Sequence, residues 1–167
     1  MNESERREAM RRGPLHGPDL TLNMRSDPRF LTGARGLIAS VAEKIGLSST
    51  SCAQVALAID EALCNVIRHG YKKRSDAPIW VMVWVLADEG VGAGLRIVIE
   101  DEAEQVDPSK IRGRDLADVR PGGLGVHIIR EVMDVAEYEM RSPVGMRLTL
   151  VKYDRPSPGV EPAAVGA

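Results

Sequence analysis

Residues 79–87, Ile-Trp-Val-Met-Val-Trp-Val-Leu-Ala, limit what this chain can fold into more than any other segment. The run has no charge, glycine or proline, and it is rich in β-branched and aromatic side chains that suit a pleated surface. It reads as a well-buried strand. Residues 88–94 form a glycine-rich turn, and residues 95–100, Leu-Arg-Ile-Val-Ile-Glu, supply the hairpin partner. A hairpin this apolar needs a second layer to cover it.

Two helices upstream can provide that layer. Phe30, Leu31, Ala34, Leu37, Ile38 and Val41 recur at helical spacing, and Gly46 is a natural stop. Ser48-Ser49-Thr50-Ser51 offers an N-cap for a second helix running to about Arg68, with Val55, Ile59, Ala62, Leu63, Val66 and Ile67 as its apolar stripe. Residues 19–24 alternate as a first strand. Downstream, residues 102–123 show no period and contain Pro108, Gly113 and Pro121. A loop of that length inside a compact domain is usually functional or disordered. Residues 125–133 read as a helix, and Val135–Met140 and Met146–Tyr153 as a closing hairpin around Ser142-Pro143-Val144-Gly145. Strands grouped in hairpins favour an α/β two-layer sandwich, with a mixed, mainly antiparallel sheet covered on one face by helices, over a doubly wound parallel sheet.

With 167 residues the chain is expected to hold one domain, spanning residues 19–154. Residues 1–18 and 155–167, rich in Arg, Glu, Gly, Pro and Ala, read as disordered tails. Lys+Arg 22 against Asp+Glu 24 leaves a net charge of −2, which argues against nucleic acid as a partner. No apolar stretch is read as approaching the roughly 20 residues of a membrane span. Cys52 and Cys64 fall on one helix, roughly 18 Å apart at a rise of about 1.5 Å per residue, too far for a disulfide. Free thiols without an apolar leader point to the cytoplasm. Met133, Met140 and Met146 read as core filler.

Three constellations carry chemistry. Glu61, Asn65 and His69 stand at i, i+4 and i+8 on one face of the second helix, opposite the apolar stripe. A carboxylate there can accept a proton, and an amide oxygen is a hard, neutral ligand for Mg²⁺; the same spacing also describes the wet side of an amphipathic helix. Asp101 ends an apolar strand, where a carboxylate can accept from an exocyclic base amine, or simply begin a solvated acidic loop. Pro121-Gly122-Gly123-Leu124-Gly125 runs directly into a helix, whose free N–H groups favour a phosphate. His69 is read as capping the helix end and His127 as a packing or surface residue.

Together these residues resemble the GHKL-type (Bergerat) ATP-binding fold, and within it the anti-sigma-factor serine kinases of bacteria. The similarity runs through Ala58-Ile59-Asp60-Glu61-Ala62-Leu63-Cys64-Asn65-Val66-Ile67-Arg68-His69-Gly70-Tyr71, Asp101 with Val106-Asp107-Pro108, Gly122-Gly123-Leu124-Gly125-Val126-His127-Ile128-Ile129, Met133-Asp134 and Gly145-Met146-Arg147-Leu148-Thr149-Leu150. The resemblance implies ATP and Mg²⁺ bound between the second helix, Asp101 and a loop acting as a lid. It implies transfer of the γ-phosphoryl to a serine of an anti-sigma-factor antagonist of STAS type, and often the holding of a sigma factor. On it, Glu61 is the general base and Asn65 the Mg²⁺ ligand. Asp101 and Ala103 lie at the adenine, Gly123, Leu124 and Gly125 at the phosphates, and Arg114 or Arg112 is a lid cation. Dimers are common among the resembling proteins.

The sequence departs from that pattern twice. Ala103 stands where a glycine is usual, and Met146 where a threonine or asparagine often follows the last glycine. Ala103 is expected to keep a negative φ and to be tolerated. A rival reading is a non-catalytic binding module that sequesters a regulatory protein, with nucleotide as a structural ligand at most. A detached histidine-kinase ATP domain is a third, although no helical segment offers a phosphoacceptor histidine.

Overall fold

The structure is a computed structural model and describes residues 14–88, 92–111 and 124–154. It contains β1 (Leu20–Arg25), α1 (Leu31–Lys44), α2 (Ser49–Asn65), β2 (Pro78–Asp88), β3 (Gly92–Asp101), α3 (Gly125–Val132), β4 (Val135–Met140) and β5 (Met146–Tyr153). The strands form one sheet in the order β1-β2-β3-β5-β4. Every pairing is antiparallel. The three helices share one face of it, so the two-layer α/β sandwich read from the sequence is the observed architecture. Most of the expected tails, residues 1–13 and 155–167, lies outside the described residues.

Alternation along the strands sorts their side chains between the two faces. Ile79, Val81 and Val83 of β2, Leu95, Ile97 and Ile99 of β3, and Leu148 and Leu150 of β5 face the helices. Against them pack Ala34 and Ile38 of α1, Val55, Ile59 and Leu63 of α2, and Ile129 of α3. The opposite face corrects the reading of residues 79–87 as a well-buried strand. Trp80 and Trp84 are only partly buried there, with the Arg141 guanidinium 5.0 Å from the Trp80 ring and Arg96 5.7 Å from Trp84. Arginine covers an aromatic face while keeping its charge near water, so a strand can be apolar throughout and still have only one core-facing side.

Two locks hold the helix layer on the sheet. Asp154, just beyond β5, accepts from Ser48 N, Ser48 Oγ and Ser51 Oγ, each at 2.7 Å, tying the start of α2 to the end of the sheet. At the other end α2 runs into a wide π turn, Val66–Gly70, closed by Tyr71 N to Val66 O at 2.8 Å. The helix spacing expected through residue 68 therefore stops at Asn65. Residues Ser49–Gly70 are long and apolar enough, by length and composition, to cross a membrane, contrary to the expectation of no such stretch. Their apolar side is used in packing on the sheet.

Candidate functional site

The end of α2, the end of β3 and the start of α3 meet around a cavity of about 560 Å³. Its walls are largely apolar, with Ala62, Val66, Ile99, Val126, Met146 and Leu148 among them. Asn65, His69, Lys72, Asp101, Lys110 and Tyr138 supply polar groups. An apolar cavity with a few convergent polar groups is the usual form of a small-molecule site.

Asp101 is 5% exposed, and its Oδ1 accepts from Ala103 N at 2.8 Å and Met146 N at 3.1 Å. Burial raises its pKa above the usual carboxylate value, although the two backbone N–H groups pull it the other way. Both of these bonds fall on Oδ1, which leaves Oδ2 as an acceptor for a group in the cavity. The turn beyond β3 is held by the buried Tyr71, whose hydroxyl donates to Pro78 O at 2.5 Å and accepts from Glu102 N at 2.7 Å. Gly145, at φ +94, lets the β4–β5 turn pass under the strand end, since a Cβ there would lie 1.8 Å from Asp101 O.

Both sequence departures have a local explanation. Among the described residues only Lys72 and Lys73 combine a side chain with positive φ, so Ala103 has the negative φ expected of it. Its methyl is buried against Gly70, where an added Cβ would sit 3.1 Å away. Met146 is not core filler. Its N–H binds Asp101, and its Sδ accepts from Val106 N at 3.4 Å, anchoring the loop that leaves β3. Met140 also departs from that reading, being 52% exposed, whereas Met133 is buried as expected.

Glu61, Asn65 and Gly125 come together across the α2–α3 contact. A Cβ on Gly125 would lie 2.5 Å from Glu61 Oε2 and 3.3 Å from Asn65 Nδ2, so a side chain there would displace the Glu61 carboxylate from its present place. Asn65 Nδ2 is buried without a hydrogen-bond partner among the described residues. Turning the amide exchanges its nitrogen and oxygen, so the position can equally present an oxygen. A neutral amide oxygen beside a carboxylate is a donor set that can hold Mg²⁺, which takes a few protein oxygens and leaves its other positions to phosphate and water. Leu124 at the N-cap of α3 makes no side-chain cap bond, and the first hydrogen bond back into it is Ile128 N to Leu124 O at 2.9 Å. Among the described residues the amides of the first turn have no helical acceptor, the arrangement that can receive an anion.

Of the residues singled out in the sequence, Glu61, Asn65, Asp101, Ala103, Leu124 and Gly125 gather at or beside this cavity, whereas Gly123, Arg112 and Arg114 lie outside the described residues. Sequence reasoning missed Tyr138, Lys72 and the cavity-wall place of His69. For Tyr138 the only available signal was its alternation with Ala136 on β4.

Several known proteins are similar to this chain over most of its length. The model of the histidine kinase-like ATPase domain matches residues 24–152. Serine-protein kinase RsbW of Listeria monocytogenes serotype 4a (strain HCC23) is 24% identical over 138 residues, 80% of this chain and 86% of that protein. Serine-protein kinase RsbW of Oceanobacillus iheyensis is 23% identical over 142 residues, 80% of this chain and 85% of that protein. Among solved structures, the RsbU and RsbW domains of Rv1364c from Mycobacterium tuberculosis match with a TM-score of 0.57 at 21% identity, over 83% of this chain and 32% of that one. A chain of the SiaB–SiaC complex from Pseudomonas aeruginosa matches with a TM-score of 0.56 at 12% identity, over 92% of this chain and 98% of that one.

Proposed function

Because the chain belongs to the histidine kinase-like ATPase domain family, we propose that it is a serine kinase of a partner-switching system. It binds ATP·Mg²⁺ in the cavity and transfers the γ-phosphoryl to a serine of a STAS-type antagonist, thereby controlling a sigma factor or similar partner in the cytoplasm. The observation that carries this reading is the convergence of Glu61, Asn65 and Gly125 at one end of a cavity whose polar wall includes the buried Asp101. The relatives named serine-protein kinases support the reaction class.

In this reading Asp101 Oδ2 accepts from the exocyclic amine of adenine, and the apolar walls hold the base. The first turn of α3 takes the phosphates on its free amides, at a backbone made accessible by Gly125. Asn65 would hold Mg²⁺, which when bound neutralises phosphate charge. Phosphoryl transfer is mainly positioning and charge neutralisation, so few side chains are needed. The serine Oγ attacks the γ-phosphorus, its proton passes to the Glu61 carboxylate, and the bond to the β,γ-bridging oxygen breaks to release ADP. Lys110 in the cavity wall is a cation suited to the charge that develops, a role the family resemblance also offers to Arg112 or Arg114.

Incubation with γ-labelled ATP and candidate STAS-type antagonists, followed by phosphoamino-acid analysis, tests the reading. Label on serine is expected, and Glu61→Gln should lower it by about 10²–10⁴-fold with ATP binding kept. Tight ATP binding without transfer to any such antagonist would favour the non-catalytic binding module instead.

A further inference from the structure

Tyr138 on β4 carries a hydroxyl that the fold buries without a hydrogen-bond partner among the described residues. Its ring packs on the helix-facing core, and the side chain lines the cavity. A hydroxyl removed from water without a partner loses its hydration and gains nothing in return, and native folds leave few such groups. Burial pushes the phenol up to about 12, with Arg130 opposing weakly, so the group is a neutral donor throughout the physiological range.

Its position relative to Asp101 is fixed by the sheet. Tyr138 pairs with Leu148 across β4–β5, and Leu148 pairs with Ile99 across β5–β3. Asp101 lies two residues beyond Ile99, on the same face. Two strand spacings of about 4.8 Å, with an offset of one residue pair, put the two backbones roughly 12 Å apart. Ile99, Leu148 and Met146 form an apolar floor between them. One fused-ring base fits between an acceptor reaching in from one side and a donor from the other.

The geometry points to Tyr138 as a second base-reading residue, whose hydroxyl donates to a ring nitrogen of the purine that presents its exocyclic amine to Asp101. This assignment rests on the proposed ATP site. It makes the cavity selective for a base offering an amine at one edge and an unprotonated ring nitrogen at another.

Calorimetric titration of wild type and Tyr138→Phe with ATP and with 1-deaza-, 3-deaza- and 7-deaza-ATP tests it. The Phe variant is expected to bind ATP about three- to tenfold more weakly, the usual range for one net hydrogen bond. One of the three analogues should show a similar loss with wild type, and that loss should vanish in the Phe variant. The ligand-free melting temperature of Tyr138→Phe should match or exceed that of wild type, since a buried unpartnered hydroxyl is being removed. If wild type binds ATP and the Phe variant binds it equally well, the hydroxyl serves only a trapped water, and the assignment fails while the ATP site stands. An analogue loss that persists unchanged in the Phe variant overturns it likewise. If wild type binds no adenine nucleotide, the ATP reading itself falls. Should the variant not fold, three analogues all binding wild type as ATP does would still overturn the assignment.

Discussion

Gly125 and Glu61 are set so close that any side chain at 125 must move the carboxylate or the helix. Gly125→Ala is therefore expected to reduce serine phosphorylation by at least about tenfold, because a Cβ would lie 2.5 Å from Glu61 Oε2. A radiolabel assay beside a melting curve separates this from misfolding. At position 103 the outcome should be mild. The methyl already sits at negative φ against Gly70, so Ala103→Gly should change the ATP dissociation constant by less than about threefold, as titration calorimetry would show. Asp101 gives the site a pH signature. Its pKa is raised by burial above the ordinary 3.8, so its contribution to stability is fully present below the unfolded value and lost as pH rises through the folded one. Under the proposed function, acceptance from an adenine amine is strongest in the ionised form and runs the opposite way. ATP affinity should fall as pH drops through a value above 3.8, and Asp101→Asn should flatten that dependence.

The helix α2 serves packing and site at once, and hydrogen bonds tie both its ends to the sheet. At its start, Asp154 is partly desolvated, but hydrogen bonds from Ser51 and Ser48 outweigh this and lower its pKa. A carboxylate with a lowered folded pKa stabilises above its unfolded value and loses that contribution as pH falls through the folded one. Asp154→Ala should cost about 1 kcal/mol in urea unfolding at neutral pH, with the difference from wild type shrinking in acid. At its far end the π turn brings Tyr71 under Pro78 and Glu102. Tyr71→Phe removes both of these part-buried hydrogen bonds, and about 1–3 kcal/mol of stability should be lost in the same assay. This turn was not legible in the sequence. Residues 66–70 continue the helical spacing, and the widened hydrogen bonds follow from where Tyr71 must sit, which only the packed structure determines.

Across the whole molecule, the order of elements and their pairing partners could be read from the chain because turn chemistry punctuates it. The strands Val135–Met140 and Met146–Tyr153 have the bounds expected from the Ser142-Pro143-Val144-Gly145 turn between them. Glu61, Asn65 and Asp101 were legible as residue types at informative places. The meeting of Glu61 and Asn65 with Gly125 depends on how α3 packs across α2, which periodicity does not encode. Tyr138 was missed because a tyrosine alternating on an edge strand looks the same whether its hydroxyl meets solvent or a cavity. The burial expected of residues 79–87 holds on the helix-facing side, whereas Trp80 and Trp84 on the other side are only partly buried and meet Arg141 and Arg96. The central claim is that this fold builds an ATP·Mg²⁺ site between α2, β3 and α3, and calorimetric titration of ATP with and without Mg²⁺ tests it most directly. Wild type should bind ATP with a strong dependence on Mg²⁺, and Asn65→Ala should lose that dependence while its nucleotide-free melting temperature stays close to wild type. Mg²⁺-dependent binding that survives unchanged in Asn65→Ala, or no ATP binding by wild type, would contradict the account.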